Sequence, residues 1–292
     1  MRFGRNARVK IRIANGKGSG YRETIEIQGL RIAFNITKSQ SYSLNTLSLQ
    51  IWNLGQSNRN LLKKIGDEIT LEAWYELEGE ENKLTFIGDS TKVSHQFVQP
   101  DIITSIECLD GQRFFLLKLI NVSYTEKMPI RDIIRDICTK NNVDIAYFAP
   151  SDNIIYPSGF SHNQSLKLAI DILTEALGLQ AIFTNGSLYI VPKNQSISRN
   201  SYIVNVNNAM VNVPERYVFK YRNLLTGVPE IGFKVKTLLR PEILPGDTIR
   251  VTSQKADLKG NYFVAVATHQ GDTHGDPWDS TFEVYLKNDL SN

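Results

Sequence analysis

Phe34-Asn35-Ile36-Thr37-Lys38, followed closely by Asn45-Thr46-Leu47-Ser48-Leu49-Gln50-Ile51-Trp52-Asn53-Leu54, decides how this chain is read. Ile32, Phe34 and Ile36 alternate with Arg31, Asn35 and Thr37, and Leu47, Leu49 and Ile51 repeat the same period of two. Successive side chains of a strand point to opposite faces, so each run reads as a half-buried β-strand. The habit extends outward in both directions. Val9 to Ile13 and Ile25 to Ile27 lie upstream, separated by a turn at Gly16, Gly18 and Gly20. Downstream come Ile69, Leu71 and Ala73, then Leu84 to Ile87, Val93 to Val98 and Ile102 to Leu109. Glu78, Gly79, Glu80 and Glu81 read as a hairpin turn, and Asn53 to Asn60 opens a short helical turn carrying Leu61, Leu62 and Ile65. Many short strands punctuated by turns predict a β-barrel or sandwich over residues 1–123.

The pattern changes over residues 124–194, where a small α+β unit is expected. Pro129 suits the first turn of a helix, because its missing N–H has no partner to lose there. Ile130, Ile133, Ile134 and Ile137 follow at helical spacing. Val143 to Phe148 reads as a strand. A second helix is expected from about Ser165, with Leu166, Leu168, Ala169, Ile172, Leu173 and Ala176 on its apolar face and Gly178 as its C-terminal stop. Asn185-Gly186 between Phe183 and Leu188 is a strong two-residue hairpin signal. A polar stretch, Asn194 to Ser201, then leads into residues 195–292, where the strand habit returns and predicts a second β-barrel. The two β segments share composition and spacing, with no clear residue-level repeat.

Composition narrows the class. With 292 residues, 41% hydrophobic and 22% charged, the chain has enough apolar surface to build a core in each of two or three domains. A net charge of +3 is too small to imply nucleic-acid binding by electrostatics. Arg2, Arg5, Arg8, Lys10 and Arg12 alternate with other residues and read as a solvated strand face. Cys108 and Cys138 are too few and too far apart for a disulfide framework, which points to assembly in a reducing cytoplasm. No apolar run resembles a signal peptide or approaches the roughly 18–20 residues of a membrane span. A soluble chain without membrane insertion of its own is expected.

Chemistry-bearing residues are sparse. His269, Asp272, His274 and Asp276 form the one cluster whose residue types suit a divalent metal or acid–base work. A long loop between two strands needs the same Gly, Asp and Thr residues, and no further Cys or Glu stands at a ligand spacing. The expectation is therefore no catalytic residue, no cofactor and no metal, with those four as the weak candidates. Glu76, Glu78, Glu80 and Glu81 sit on a presumed solvated tip. Gly16, Gly18 and Gly20 lack the Lys-Ser/Thr ending and following helix of a phosphate loop, and no Gly-x-Ser-x-Gly elbow occurs. Cys108 and Cys138 read as core.

Three stretches in order resemble the baseplate hub proteins of contractile-tailed phages and related injection systems. The first is the opening strand pair quoted above. The second runs through Gly66 and Ile69 to Ala73-Trp74-Tyr75, Phe86-Ile87-Gly88-Asp89 and Asp110-Gly111. The third comprises Leu238-Leu239-Arg240-Pro241, Leu244-Pro245-Gly246-Asp247, Gly260-Asn261-Tyr262, and His269-Gln270-Gly271-Asp272-Thr273-His274-Gly275 with Trp278. Pro245-Gly246-Asp247 suits a chain reversal, and Trp278 is placed to cover a barrel end. The resemblance implies two tube-like antiparallel β-barrels, interleaved in some members, flanking a small α+β domain. It also implies a homotrimer whose six barrels match the sixfold tail tube on one side and the threefold central spike on the other. The tape measure protein and DNA would pass through its channel, and other baseplate proteins would contact its outside. Such a protein is a structural virion component and not an enzyme. The middle unit also resembles ring-forming modules of secretins, so a ring component of another injection or secretion machine is one alternative. A tail-associated cell-wall hydrolase is the alternative from a different class, and a carbohydrate-binding barrel a third.

Overall fold

Strand propensity dominates the molecule. The computed structural model describes residues 4–15, 20–39, 44–62, 66–78, 83–110, 118–192, 201–219 and 230–286. The turn at Gly16 and Gly18, the acidic tip at Gly79 to Glu81, Ile65, Gly111 and most of the Asn194–Ser201 linker lie outside them. In chain order the elements begin with β1 (Arg5–Ala14), β2 (Tyr21–Ile27), β3 (Ile32–Ser39), β4 (Thr46–Trp52), α1 (Gln56–Leu61), β5 (Glu68–Tyr75), β6 (Leu84–Val98) and β7 (Asp101–Leu109). Next come β8 (Leu119–Tyr124), α2 (Ile130–Lys140), β9 (Asp144–Phe148), β10 (Phe160–Ser165), α3 (Leu166–Ala176), β11 (Leu179–Thr184) and β12 (Ser187–Pro192). The last six are β13 (Ser201–Val204), β14 (Glu215–Phe219), β15 (Glu230–Leu238), β16 (Thr248–Ser253), β17 (Leu258–Asp272) and β18 (Gly275–Leu286). The protein is mainly β with a small α+β part.

One sheet carries both β segments, in the order β14-β15-β18-β17-β3-β4-β7-β6-β5-β1-β2, with β16 and then β13 branching from β17. Its first half curls over a single core. Val9, Ile11, Ile25, Ile32, Phe34, Leu49, Ile51, Leu71, Phe86 and Ile106 all belong to that core, together with Leu239 and Trp278 from the far end of the chain. The expected barrel closure is corrected here, because among the described residues this sheet is open. Closing the first segment would require β2 to pair with β3. A strand has two edges, and β3 has already given one to β4 and the other to β17. β2 and β3 instead both contribute side chains to the same core, through Ile25 and Ile27 and through Ile32, Phe34 and Ile36.

The middle part contains a two-stranded sheet, β10-β8, and a three-stranded sheet, β11-β12-β9, with α2 and α3. Pro129 is the N-cap of α2, one residue ahead of the first helical turn. Ser165 caps α3 by accepting the Leu168 N–H at 3.3 Å. Asn185 and Gly186 take φ of 50° and 84°, the left-handed geometry that suits a two-residue hairpin. The buried face of α3 differs from the expected one. Leu166, Ala169, Ile170, Leu173 and Thr174 are buried, whereas Leu168 and Ile172 are exposed. Two apolar stripes compete on this helix, and the core takes the one containing Ile170.

The two β segments are copies of one plan, a repeat the residue pattern alone did not reveal. The order β3-β4-β7-β6-β5 corresponds to β14-β15-β18-β17-β16, hairpin for hairpin. Local details agree as well. Gly66 and Gly246 open the equivalent strands with φ of 94° and 97°. The Gly66 N–H donates to Ser90 O and the Ser90 N–H to Asp67 O, each at 2.8 Å. In the second segment the Gly246 N–H donates to Val264 O at 2.8 Å and the Val264 N–H to Asp247 O at 2.9 Å. Each long hairpin then breaks register at an equivalent position, between Ser90 and Lys92 and between Val264 and Val266, and the second breaks register again between Gly271 and Asp272. Beyond that bulge stand Val93-Ser94-His95-Gln96 and Ala267-Thr268-His269-Gln270. His95 Nδ1 lies 3.1 Å from Thr104 Oγ1, and His269 Nδ1 lies 2.8 Å from Ser280 Oγ.

Candidate functional site

The four residues singled out in the sequence fall at the seam where β17 of the second segment pairs with β3 of the first. Pleating separates them. His269 points inward and is fully buried, sharing its Nδ1 hydrogen bond with Ser280 while its Nε2 has no partner among the described residues. Burial, aided by the positive charge of Lys38, pushes the imidazole down to about 3, so it is neutral at ordinary pH. Asp272 ends β17 and faces Arg31. Their contacts are Nε to Oδ1 at 3.2 Å, Nε to Oδ2 at 3.2 Å and Nη2 to Oδ2 at 2.7 Å. Burial works against ionisation of Asp272, but the Arg31 bonds and the His274 N–H outweigh it and hold the carboxyl below its usual range. The Arg31 guanidinium also lies 4.3 Å from the centre of the Trp52 ring. His274 and Asp276 are exposed, Asp276 meeting Arg5 at 2.8 Å.

These placements do not converge on one ligand position. Among the described residues no three His, Cys, Asp or Glu side chains come together as a metal-holding group. The Ser280–His269 contact resembles a nucleophile and base, but both are fully buried between paired strands, where a substrate has no access. What the cluster does is join the two β segments. Thr273 N–H donates to Ile32 O and Ile32 N–H donates to Thr273 Oγ1, each at 3.0 Å, so the turn is stitched to the start of β3.

Close packing completes the seam. Trp278 meets Phe34 at 5.5 Å and Tyr75 at 6.3 Å between ring centroids, both edge-on. The tryptophan thus covers the first core from the second segment. Gly271 is required here for space. A Cβ at that position would stand 2.4 Å from the Phe34 ring and 2.8 Å from Trp278. Gly271→Ala is expected to destabilise the protein by about 1–3 kcal/mol through overpacking. Urea denaturation checks this, and an unchanged midpoint would refute it.

A second polar node, missed by sequence reasoning, ties the middle part to the first segment. Asp110 follows β7 and accepts the Asn185 N–H at 2.8 Å and an Asn45 Nδ2 hydrogen at 3.2 Å. Lys38 Nζ donates to Thr85 O at 2.8 Å and lies 3.5 Å from Asn185 Oδ1. Burial lowers Lys38 to about 8 against the attraction of Asp110. Burial also raises Asp110 to about 6, opposed by the Asn185, Asn45 and Lys38 contacts. Beside this node opens a cleft of about 420 Å³ lined by Lys38, Asn45, Tyr147, Tyr189, Tyr202 and Asp247, among others. A lysine in phase with Ile32, Phe34 and Ile36, at an otherwise apolar strand position, was the one available signal, and Lys38 reads as solvated until its neighbours are known.

Both nodes are joints between parts of one chain. A family model described as baseplate hub gp41 matches residues 7–284. No curated protein matches the sequence. Among solved structures, the fold is similar to the 43 kDa tail protein of prophage MuSo2 from Shewanella oneidensis, at 12% identity and a TM-score of 0.65, covering 97% of this chain and 98% of that one. It is similar to the tail protein from Neisseria meningitidis MC58, at 10% identity and a TM-score of 0.64, covering 98% of this chain and 97% of that one. It is also similar to the E. coli c3393 protein, a component of the type VI secretion system, at 12% identity and a TM-score of 0.60, over 89% and 74% of the two chains. At these identities the likeness is one of fold.

Proposed function

The chain belongs to the baseplate hub gp41 family, and from that premise we propose that it assembles as a homotrimer joining a sixfold tail tube to a threefold central spike. Its place in a phage-type tail as a baseplate structural protein follows from the family itself. The observation that carries the finer reading is the internal duplication. Two β segments of one plan lie side by side in one sheet, so three chains would present six similar units to a tube and threefold symmetry to a spike. The adaptor then works by interface geometry alone, without a chemical step, a cofactor or a metal. The tape measure protein and DNA would pass through its channel, and the middle part would face neighbouring baseplate proteins. Assembly would take place in the host cytoplasm. Residues 1–123, 124–194 and 195–292 are the proposed domains, with the β domains interleaved through Leu239 and Trp278.

Light scattering of the purified protein, followed by negative-stain imaging, tests this reading. Three copies forming an open ring are expected. A monomer, both alone and with the spike protein present, would overturn it. A second reading, a ring component of a secretion machine, is favoured by the likeness to the type VI secretion component and predicts the same ring. A cell-wall hydrolase would instead clear turbid cell-wall suspensions reproducibly after re-purification, and a carbohydrate-binding barrel would be retained on glycan.

A further inference from the structure

The cleft beside Lys38 is lined by all three parts of the chain, and its largest side chains come from the face of a sheet. In β11-β12-β9, Ile182 stands opposite Tyr189 and Tyr189 opposite Tyr147, a row of three across neighbouring strands. Their sequence neighbours Phe183, Leu188, Ile190 and Phe148 turn the other way, into the core shared with α2 and α3. Pleating therefore sends Ile182 and both tyrosines to the cleft. The first segment adds Lys38 and Asn45, and the second adds Tyr202 with Leu244 and Pro245. About 420 Å³ lies between them, within the range of about 300–1,000 Å³ usual for small-molecule sites, which favour joints between domains.

We propose that this cleft is a binding site for a neutral mono- or disaccharide, with Tyr147 and Tyr189 as the platform on which a sugar ring packs. The proposal goes beyond the hub reading and does not depend on it. Its first support is the state of the two tyrosines. Tyr21 and Tyr124 donate their hydroxyls to Glu68 and Asp136, each at 2.6 Å. Among the described residues neither Tyr147 nor Tyr189 makes a hydrogen bond or a ring contact, and Tyr147 is 41% exposed. A sugar ring offers a C–H face that packs on an aromatic ring and a rim of hydroxyls. The tyrosine rings match the first, and the Tyr147, Tyr189 and Thr184 hydroxyls, each able to donate and accept, match the second.

Charge supplies the second support, because every ionic group at the cleft is already answered from within the chain. Lys38 is engaged by Thr85 O at 2.8 Å and by the Asp110 charge. Glu242 holds Arg240, and Asp247 accepts the Leu244 N–H at 2.9 Å. A phosphate or an ammonium entering here would meet no uncommitted counter-charge, so its desolvation would go uncompensated. An uncharged polyol carries no such cost. An extended peptide is the competing occupant. Peptides of that kind are held by main-chain bonds to a strand edge, whereas the cleft presents this sheet's face. The site also differs from a carbohydrate-binding barrel, since its platform belongs to the middle part and not to a β segment.

Saturation-transfer NMR on the full chain tests this, with chitobiose, cellobiose, maltose and a proline-rich peptide as probes at millimolar concentration. Transfer to at least one disaccharide is expected. It should fall several-fold in Tyr147→Ala and in Tyr189→Ala and persist in Tyr189→Phe, which keeps the ring. Thermal melts confirm that each variant is folded, and neither tyrosine holds a hydrogen bond whose loss would unfold it. Transfer to chitobiose alone supports an N-acetylated cell-wall backbone as the source, and transfer to all three supports hexose rings in general. No transfer to any sugar, transfer unchanged in both alanine variants, or transfer to the peptide alone overturns the proposal. Each of these leaves the hub reading to the scattering mass, which is measured without sugar.

Discussion

Trp278→Ala is expected to lower the stability of the protein by about 3–5 kcal/mol, the usual loss when a buried aromatic side chain is deleted from a core. Trp278 is 3% exposed and lies in the first core although it belongs to β18. Its ring is held edge-on by Phe34 and Tyr75, and the Arg5 guanidinium lies 6.0 Å from its centre. Removing it opens a cavity between the two β segments, where neither can relax independently. Its Nε1 is buried without a partner among the described residues, so the loss is one of packing and not of a hydrogen bond. Trp278→Phe should therefore recover most of the stability, leaving a deficit near 1 kcal/mol. Chemical denaturation of the three proteins measures this. Equal destabilisation by both variants would show that the indole N–H matters after all and that the packing account is wrong.

Lys38→Met is expected to cost about 3–5 kcal/mol above neutral pH, because it strands the Asp110 carboxylate in a buried site. The pH dependence distinguishes this from a simple packing defect. Asp110 is raised from 3.8 to about 6, so its own contribution is present below 3.8 and lost as pH rises through 6. Lys38 is lowered from 10.5 to about 8, so its contribution is present above 10.5 and lost as pH falls through 8. Between those values both groups carry charge at a desolvation cost, offset by each other and by the Asn45, Asn185 and Thr85 contacts. Without the ammonium, Asp110 titrates higher still, and it escapes the penalty by taking a proton in mild acid. The gap between variant and parent should shrink as pH falls from about 8 to about 5. Adding Asp110→Asn to Lys38→Met should restore most of the loss at high pH, since no buried charge then remains. A cost independent of pH, unrelieved in the double variant, would refute the account.

Much of the architecture is legible in the chain because it is written locally. The period of two in Ile32 to Ile36 and in Leu47 to Ile51 marks strands, since a pleated backbone buries every second side chain. Ser165, Gly178 and the Asn185-Gly186 pair mark ends and turns through their own backbone preferences. Where one stretch offers two solutions, local reading fails. In α3 both Leu166/Ala169/Leu173 and Leu168/Ile172 make apolar stripes, and only the surrounding core chooses. The internal repeat is written as well, in Gly66-Asp67-Glu68-Ile69 against Gly246-Asp247-Thr248-Ile249 and in His95-Gln96 against His269-Gln270. It escapes a linear reading because the matching islands are short. The connection from β5 to β6 is also longer than the turn from β16 to β17, so their spacing differs.

Strand content, the middle α+β unit and the family resemblance were therefore determined by the sequence alone. The tertiary structure decided who pairs with whom. That β3 gives its second edge to β17, and so leaves the first sheet open, depends on hydrogen bonds between residues more than two hundred positions apart. Backbone N–H and C=O groups are the same in every residue, so the chain carries no local mark of their distant partner. The same holds for His269, Asp272, His274 and Asp276. Their types suggested a shared ligand, but the pleat and the seam send one inward, one to Arg31 and two to the surface.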